Sequence, residues 1–150
     1  MNKYIFFWGG VFSNFHHING SPSFTSEKIF MTAKAVCFRD SNALAQLEKS
    51  TTPKTSKAIG RTIVGFDEEI WSTIKYRSMM MALHIKFLAC EEFRDALRAS
   101  GNLTLVEASP VDKIWGIGFP AETALANIDN WGENLLGKCL MELRFFYFGT

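Results

Sequence analysis

Three cysteines, Cys37, Cys90 and Cys139, are too few and too scattered to staple this fold. Their odd number and the lack of any CxxC pair exclude a disulfide framework and a cysteine zinc site, and they read as reduced thiols of a cytosolic-type compartment. Long apolar runs are also missing. Tyr4 to Trp8 and Met79 to Leu83 both fall far short of the ~20 residues a membrane span needs, and neither has the flanks of a signal peptide. Charge of one sign is not in excess either: a formal net charge of +1 excludes a protein that holds nucleic acid by a broad basic surface, while leaving room for a local basic pocket. No His/Asp/Glu cluster has metal-ligand spacing, so neither metal nor cofactor is expected, and no obligate protein partner is evident.

What the chain does have is apolar and aromatic content. With 150 residues, 47% of them hydrophobic and 14 of them Phe, it suits one domain over 1–150 that buries roughly 70% of its unfolded surface. Tyr4 to Trp8 reads as an internal strand, closed by Gly9-Gly10. Asn19-Gly20 reads as the turn of a β-hairpin whose second strand, carrying Pro22, lies on an edge. Cap signals then set out helices: one over Phe24 to Arg39, a second capped by Asp40, a third from Thr52-Pro53 to Gly60, and a long one opened by Asp67. Glu91 to Ser100 forms a further helix, and Leu103 to Val106 a strand. Glu107 to Gly118 is an irregular loop, residues 119–129 carry no readable pattern, and Asn134 caps a last helix with Lys138, Glu142 and Arg144 partly free. The class is α+β, mostly helical, with a small sheet and hairpin near the N-terminus.

The helix over Phe24 to Arg39 is the centre of the reading. Its 3.6-residue periodicity places Ile29, Phe30, Ala33, Val36 and Cys37 on the buried stripe. Glu27 and Lys34 lie seven residues apart on nearly one face, their backbones roughly 10 Å apart. That is too far for a helical ion pair and suits two groups approaching opposite ends of a nucleoside-sized ligand. On spacing alone, two solvated surface charges are the default alternative. On the long helix, Ile70, Ile74, Met81, Ile85 and Leu88 are expected to form the packing spine.

The order of short motifs resembles the NADAR, or YbiA-like, family. The matching pieces are Ser13-Asn14-Phe15; Ser26-Glu27 with Met31 and Lys34-Ala35; Lys57 with Gly60-Arg61; Trp71; Lys86-Phe87; and Leu105-Val106-Glu107. They continue with Asp112 before Trp115-Gly116-Ile117-Gly118, Asn134 with Leu136-Gly137, and Leu140-Met141 with Arg144. His16-His17 departs from the aromatic or apolar residues common there, and the connection before Trp131 is variable. The resemblance implies an N-glycosidase that cuts a ribose C1–N bond. Members differ in substrate: some remove ADP-ribose from guanine in nucleic acid, others hydrolyse ribosylamino-pyrimidine phosphates of the riboflavin pathway. The first is the expected substrate here, because the chain carries no fused biosynthetic domain. A non-catalytic ADP-ribose or NAD-binding module is the alternative of another class.

Such a cleavage builds positive charge on the sugar and negative charge on the leaving nitrogen, so it calls for an acid and a carboxylate. Glu27, Asp112 and Glu107 are candidate carboxylates. Lys34 is a candidate nucleophile or electrostatic support. Trp115 is placed to stack, and Arg61 and Arg144 to take phosphate. Asn14 and Asn134 are candidates for ribose hydroxyls or base edges, and Phe15, Met31 and Gly116 join the substrate-binding set through the resemblance.

Overall fold

The computed structural model describes residues 2–150. In chain order the elements are β1 (Tyr4–Phe7), a 3₁₀ turn (Ile18–Gly20), α1 (Ser26–Cys37), α2 (Ser41–Lys49), α3 (Pro53–Gly60) and α4 (Glu68–Ala89). Then follow α5 (Glu91–Ala99), β2 (Thr104–Glu107), α6 (Ala121–Ala124), a second 3₁₀ segment (Leu125–Asn130) and α7 (Leu135–Phe148). The α+β, mostly helical class is observed. These elements divide between two compact units, Asn14–Cys90 and Met1–Ser13 with Glu91–Thr150.

The unit Asn14–Cys90 holds α1 to α4, and each start is written in local chemistry. Thr25, Asp40, Thr52 and Asp67 all occupy N-cap positions with side-chain oxygens accepting a backbone N–H of the first turn. Pro53 stands at the first turn of α3, where its missing N–H costs nothing. α1 packs against α2, α3 and α4. The buried face of α1 differs from the expected stripe: Phe30, Met31 and Ala35 are buried together with Ser26 and Glu27, whereas Val36 is 58% exposed. With neighbours on three sides, the buried arc includes the polar edge that a one-sided reading assigns to solvent. α4 is rotated likewise. Its buried residues are Trp71, Met79, Ala82, Leu83, Lys86 and Phe87, and the expected spine residues Ile70, Met81, Ile85 and Leu88 are exposed.

The expected hairpin is absent. Ile18–Gly20 is a 3₁₀ turn in which Asn19 takes φ 54°, and the Ile18 N–H donates to the Phe24 carbonyl at 2.9 Å. The Asn-Gly pair supplies the left-handed backbone as expected, but no strand flanks it.

In the other unit β1 pairs with β2 in parallel, Tyr4 opposite Thr104 and Phe7 opposite Glu107. β1 therefore belongs to a two-stranded sheet and is not an internal strand. Val106, Ile117 and Ala124 form a core against which Tyr4, Phe6, Phe119 and Trp131 pack. The unreadable segment 119–129 becomes α6 and the 3₁₀ segment, too short for a periodic signal. α7 packs on β2, and a Cβ at Gly137 would collide with the Leu105 carbonyl oxygen. Arg144 corrects the expectation of a partly free side chain. It is buried, its guanidinium donating to Ser100 Oγ and the Leu103 carbonyl at 2.9 Å each, and to the Thr150 carbonyl at 3.2 Å.

Candidate active site

The candidate site is centred on α1 within the unit Asn14–Cys90. Its start is fastened from two directions. Ser26 Oγ donates to Asn14 Oδ1 at 2.8 Å and the Glu27 N–H donates to the Asn14 carbonyl at 3.1 Å, so Asn14 orients the first turn. Lys28 Nζ donates to the Glu48 and Ser50 carbonyls, at 3.3 and 2.9 Å, tying α1 to the end of α2. Glu27 is thereby held buried, at 7% exposure, in the first turn where the helix dipole favours a negative charge. An acidic side chain at that burial departs from the solvated default.

Two turns on, Lys34 is half-buried and faces an aromatic wall. Its Nζ lies 4.6 Å from the Phe66 ring centroid and 5.9 Å from that of Trp71, and it donates to the Gly60 carbonyl at 2.9 Å. Burial lowers the pKa of the amine below its ordinary 10.5; Glu68 and then Glu27 act in the opposite direction through their charge. Between Glu27 and Lys34, Met31 is buried and touches Gly60, whose missing Cβ is what lets α3 approach α1 there. Arg61, the C-cap of α3, is exposed next to the carbonyl that receives Lys34. Phe15 is 38% exposed, and Lys57 Nζ lies 5.7 Å from its ring.

Asn14, Phe15, Glu27, Met31, Lys34 and Arg61 thus belong to one unit, and Asn14, Glu27 and Lys34 are held by named bonds. Sequence reading missed the Gly60 carbonyl, Phe66 and Glu68. Phe66 and Glu68 flank the α4 cap Asp67 with no periodicity to flag them, and a backbone carbonyl leaves no mark in a sequence at all.

The candidates of the other unit gather on the 107–118 loop. Asp112 Oδ1 accepts the N–H groups of Ile114 and Trp115 at 2.9 and 3.0 Å, and Ser109 Oγ accepts that of Asp112 at 3.0 Å. These bonds wind the loop into a tight local turn. Gly116 is required there, since a Cβ would stand 2.8 Å from the Glu107 carbonyl oxygen. Asn134 does not cap α7 with its side chain: Oδ1 accepts the Glu107 N–H and Nδ2 donates to the Leu105 carbonyl, both at 3.0 Å. Its amide is spent on fixing the end of β2. Trp115 and Glu107 are half-buried.

A groove of about 560 Å³ also runs along α1, lined by Phe24, Ile29, Ala33, Val36 and Met81 among others, but by neither Glu27 nor Lys34. No carboxylate lines it, so it offers nothing for acid–base work on a sugar. Among the described residues no group of three His, Cys, Asp or Glu side chains could hold a metal ion, and no helix is long and apolar enough to cross a membrane.

The NADAR domain model matches residues 6–145. This chain belongs to the NADAR domain family. An N-glycosidase of Acanthamoeba polyphaga mimivirus is 34% identical over 95% of both chains. The chloroplastic riboflavin biosynthesis protein PYRR of Arabidopsis thaliana is 30% identical over 72% of this chain and 17% of its own length. The NMR structure of the E. coli protein YbiA superposes with a TM-score of 0.75 at 29% identity, covering 98% of this chain and 86% of that one.

Proposed function

We propose that this NADAR protein is an N-glycosidase that hydrolyses a ribose C1–N bond, with ADP-ribose on guanine in nucleic acid as its substrate. The observation that carries the proposal is the α1 face itself: a buried carboxylate on a first turn whose backbone is anchored on Asn14, and two turns on a partly dehydrated amine that donates to the Gly60 carbonyl, in a family with a named N-glycosidase relative. Such a pair matches the demands of the reaction. Glu27 supplies the carboxylate beside the sugar. Lys34 supplies an amine whose lowered pKa enriches the neutral, nucleophilic form at any pH below it.

Where the leaving nitrogen is an exocyclic amine, the ribose ring opens to an imine at C1 as its ring oxygen takes a proton. The neutral Lys34 amine adds to C1, the original C–N bond breaks, and the nitrogen leaves as the protonated amine of the base. Water then adds to the Lys34 imine, frees the lysine and gives the aldehyde, which closes to free ADP-ribose. One water is consumed and no oxidant or metal is involved. Phe15 is proposed to contact the base or sugar face, and Arg61 the phosphates. Asp112 keeps one oxygen, Oδ2, out of its local turn, and Asp112→Asn, which preserves the Oδ1 acceptor, separates a chemical part from the turn-forming one. The three cysteines, none of them in a disulfide, suit the cytoplasm.

The second reading is hydrolysis of ribosylamino-pyrimidine phosphates, favoured by the likeness to the plant riboflavin protein. The near full-length match to the viral N-glycosidase supports cleavage of an N-glycosidic bond and fits either substrate. Incubating purified protein with an ADP-ribosylated guanine oligonucleotide and with a ribosylamino-pyrimidine phosphate separates them. Free ADP-ribose supports the first reading and ribose 5-phosphate the second. Tight binding of ADP-ribose with neither product identifies a binding module and ends both.

A further inference from the structure

Asp40 does more than cap a helix. Its Oδ1 accepts the Ala43 N–H at 2.9 Å, the N-cap bond of α2, while Oδ2 accepts the N–H of Val64 at 2.8 Å, 24 residues away in the connection from α3 to α4. Ile63 is buried in that connection, but the residues just after it are less covered. Val64 is 75% exposed, and Gly65 sits at φ +81°, a backbone region that side chains resist. Two residues after Val64 comes Phe66, the ring over the Lys34 amine, which also meets Phe38 edge-on at 5.3 Å. Both oxygens of one carboxylate therefore join the start of α2 to the segment that covers Lys34. Arg39 is in the left-handed region at φ 53° and the Asp40 N–H donates to the Ala35 carbonyl, so the turn that aims Asp40 is itself anchored on α1.

We infer that Asp40 is a positioning residue for Lys34: its carboxylate clips the Val64–Phe66 segment so that the Phe66 ring roofs the amine and keeps water from it. This rests on the reading of Lys34 as the nucleophilic amine, and adds what holds that amine dry. The charged groups acting on Lys34 are Glu27 on its own helix and Glu68 at the start of α4, and both favour the ammonium. α3 contributes the Gly60 carbonyl, which also favours it. Burial opposes all three, and Phe66, 41% exposed, is the wall element standing nearest to water. Releasing the ring removes a cation–π attraction, which favours the ammonium, and also admits water to the amine; the clip requires that the second effect dominates, so that the amine pKa rises toward 10.5.

The test measures Lys34 directly, with no substrate present. Competitive acylation with trace acetic anhydride across a pH series, read by peptide mass, gives the midpoint at which Lys34 becomes reactive. Phe66→Ala removes the roof and Gly65→Ala strains the segment without touching the cap of α2. Asp40→Asn keeps one acceptor but turns an NH2 toward the other N–H. Gln46→Gly, exposed in the middle of α2, weakens that helix and leaves the clip alone. The clip predicts that the first three raise the midpoint, cutting Lys34 labelling near neutral pH by about threefold or more, and that Gln46→Gly lowers the melting temperature only. An unmoved midpoint in folded Asp40→Asn and Phe66→Ala overturns the clip, as does an equal shift in Gln46→Gly. A shifted midpoint in a protein that hydrolyses nothing leaves the clip standing and removes the N-glycosidase reading. Full hydrolysis with an unmoved midpoint does the reverse.

Discussion

A lysine that loses water on folding changes how stability responds to pH. Because burial lowers the Lys34 pKa, the unfolded chain binds more protons than the folded one between the lowered value and 10.5. Stability therefore rises with pH through that window. Lys34→Met, which cannot titrate, should flatten the rise; urea unfolding at about pH 8 and about pH 10 checks it, and an identical slope in both proteins counts against the burial of the amine. Arg144 makes the opposite point. The resemblance suggests a phosphate contact, yet the side chain is buried and spends its donors on Ser100, Leu103 and Thr150. Arg144→Ala strands two of those acceptors beside a cavity and should cost about 2–4 kcal/mol in urea unfolding. A near-zero cost would return Arg144 to the ligand contacts.

Helices were legible where their signals are local. Thr52, Pro53 and Gly60 bound α3 as expected, and Asp40 and Asp67 cap α2 and α4, because a cap needs only the three residues that follow it. Their buried faces were not legible. Which side of α1 or α4 is covered depends on neighbours distant in sequence, and those neighbours drew in Glu27 and Lys86 while leaving Val36 and Leu88 outside. The Asn19-Gly20 hairpin failed for a related reason: left-handed backbone is a property of the pair, but a strand needs a partner, and none pairs there. The α1–α3 contact offers a test at this scale. A Cβ at Gly60 would collide with the Met31 sulfur, so Gly60→Ala must push α3 away or displace Met31. It should cost about 1–3 kcal/mol and loosen the carbonyl that holds Lys34, lowering turnover beyond the loss of folded protein. Turnover per folded molecule, with folded fraction from circular dichroism, measures this; an unchanged value detaches Gly60 from the site.

For the whole molecule, the resemblance was visible as short motifs in order, and the family match over residues 6–145 bears out the family. What motifs could not convey is how residues that look alike on paper divide their labour. Asn14 fixes the first turn of α1 and Asn134 the end of β2, each through its amide, and Asp112 winds its own loop, whereas Glu27 is buried in a first turn that its own backbone N–H helps to anchor. Composition could not separate these roles, because each depends on a partner brought in by the fold. The central claim is that the Lys34 amine carries the sugar through the reaction. Adding borohydride during turnover of an ADP-ribosylated guanine oligonucleotide reduces any lysine imine to a stable bond, and intact mass followed by peptide mapping reads it. The account predicts an ADP-ribose adduct on Lys34 in the native protein and none in Lys34→Arg, with hydrolysis lost in that variant. A protein that releases ADP-ribose at full rate, is never trapped, and stays active as Lys34→Arg would contradict it.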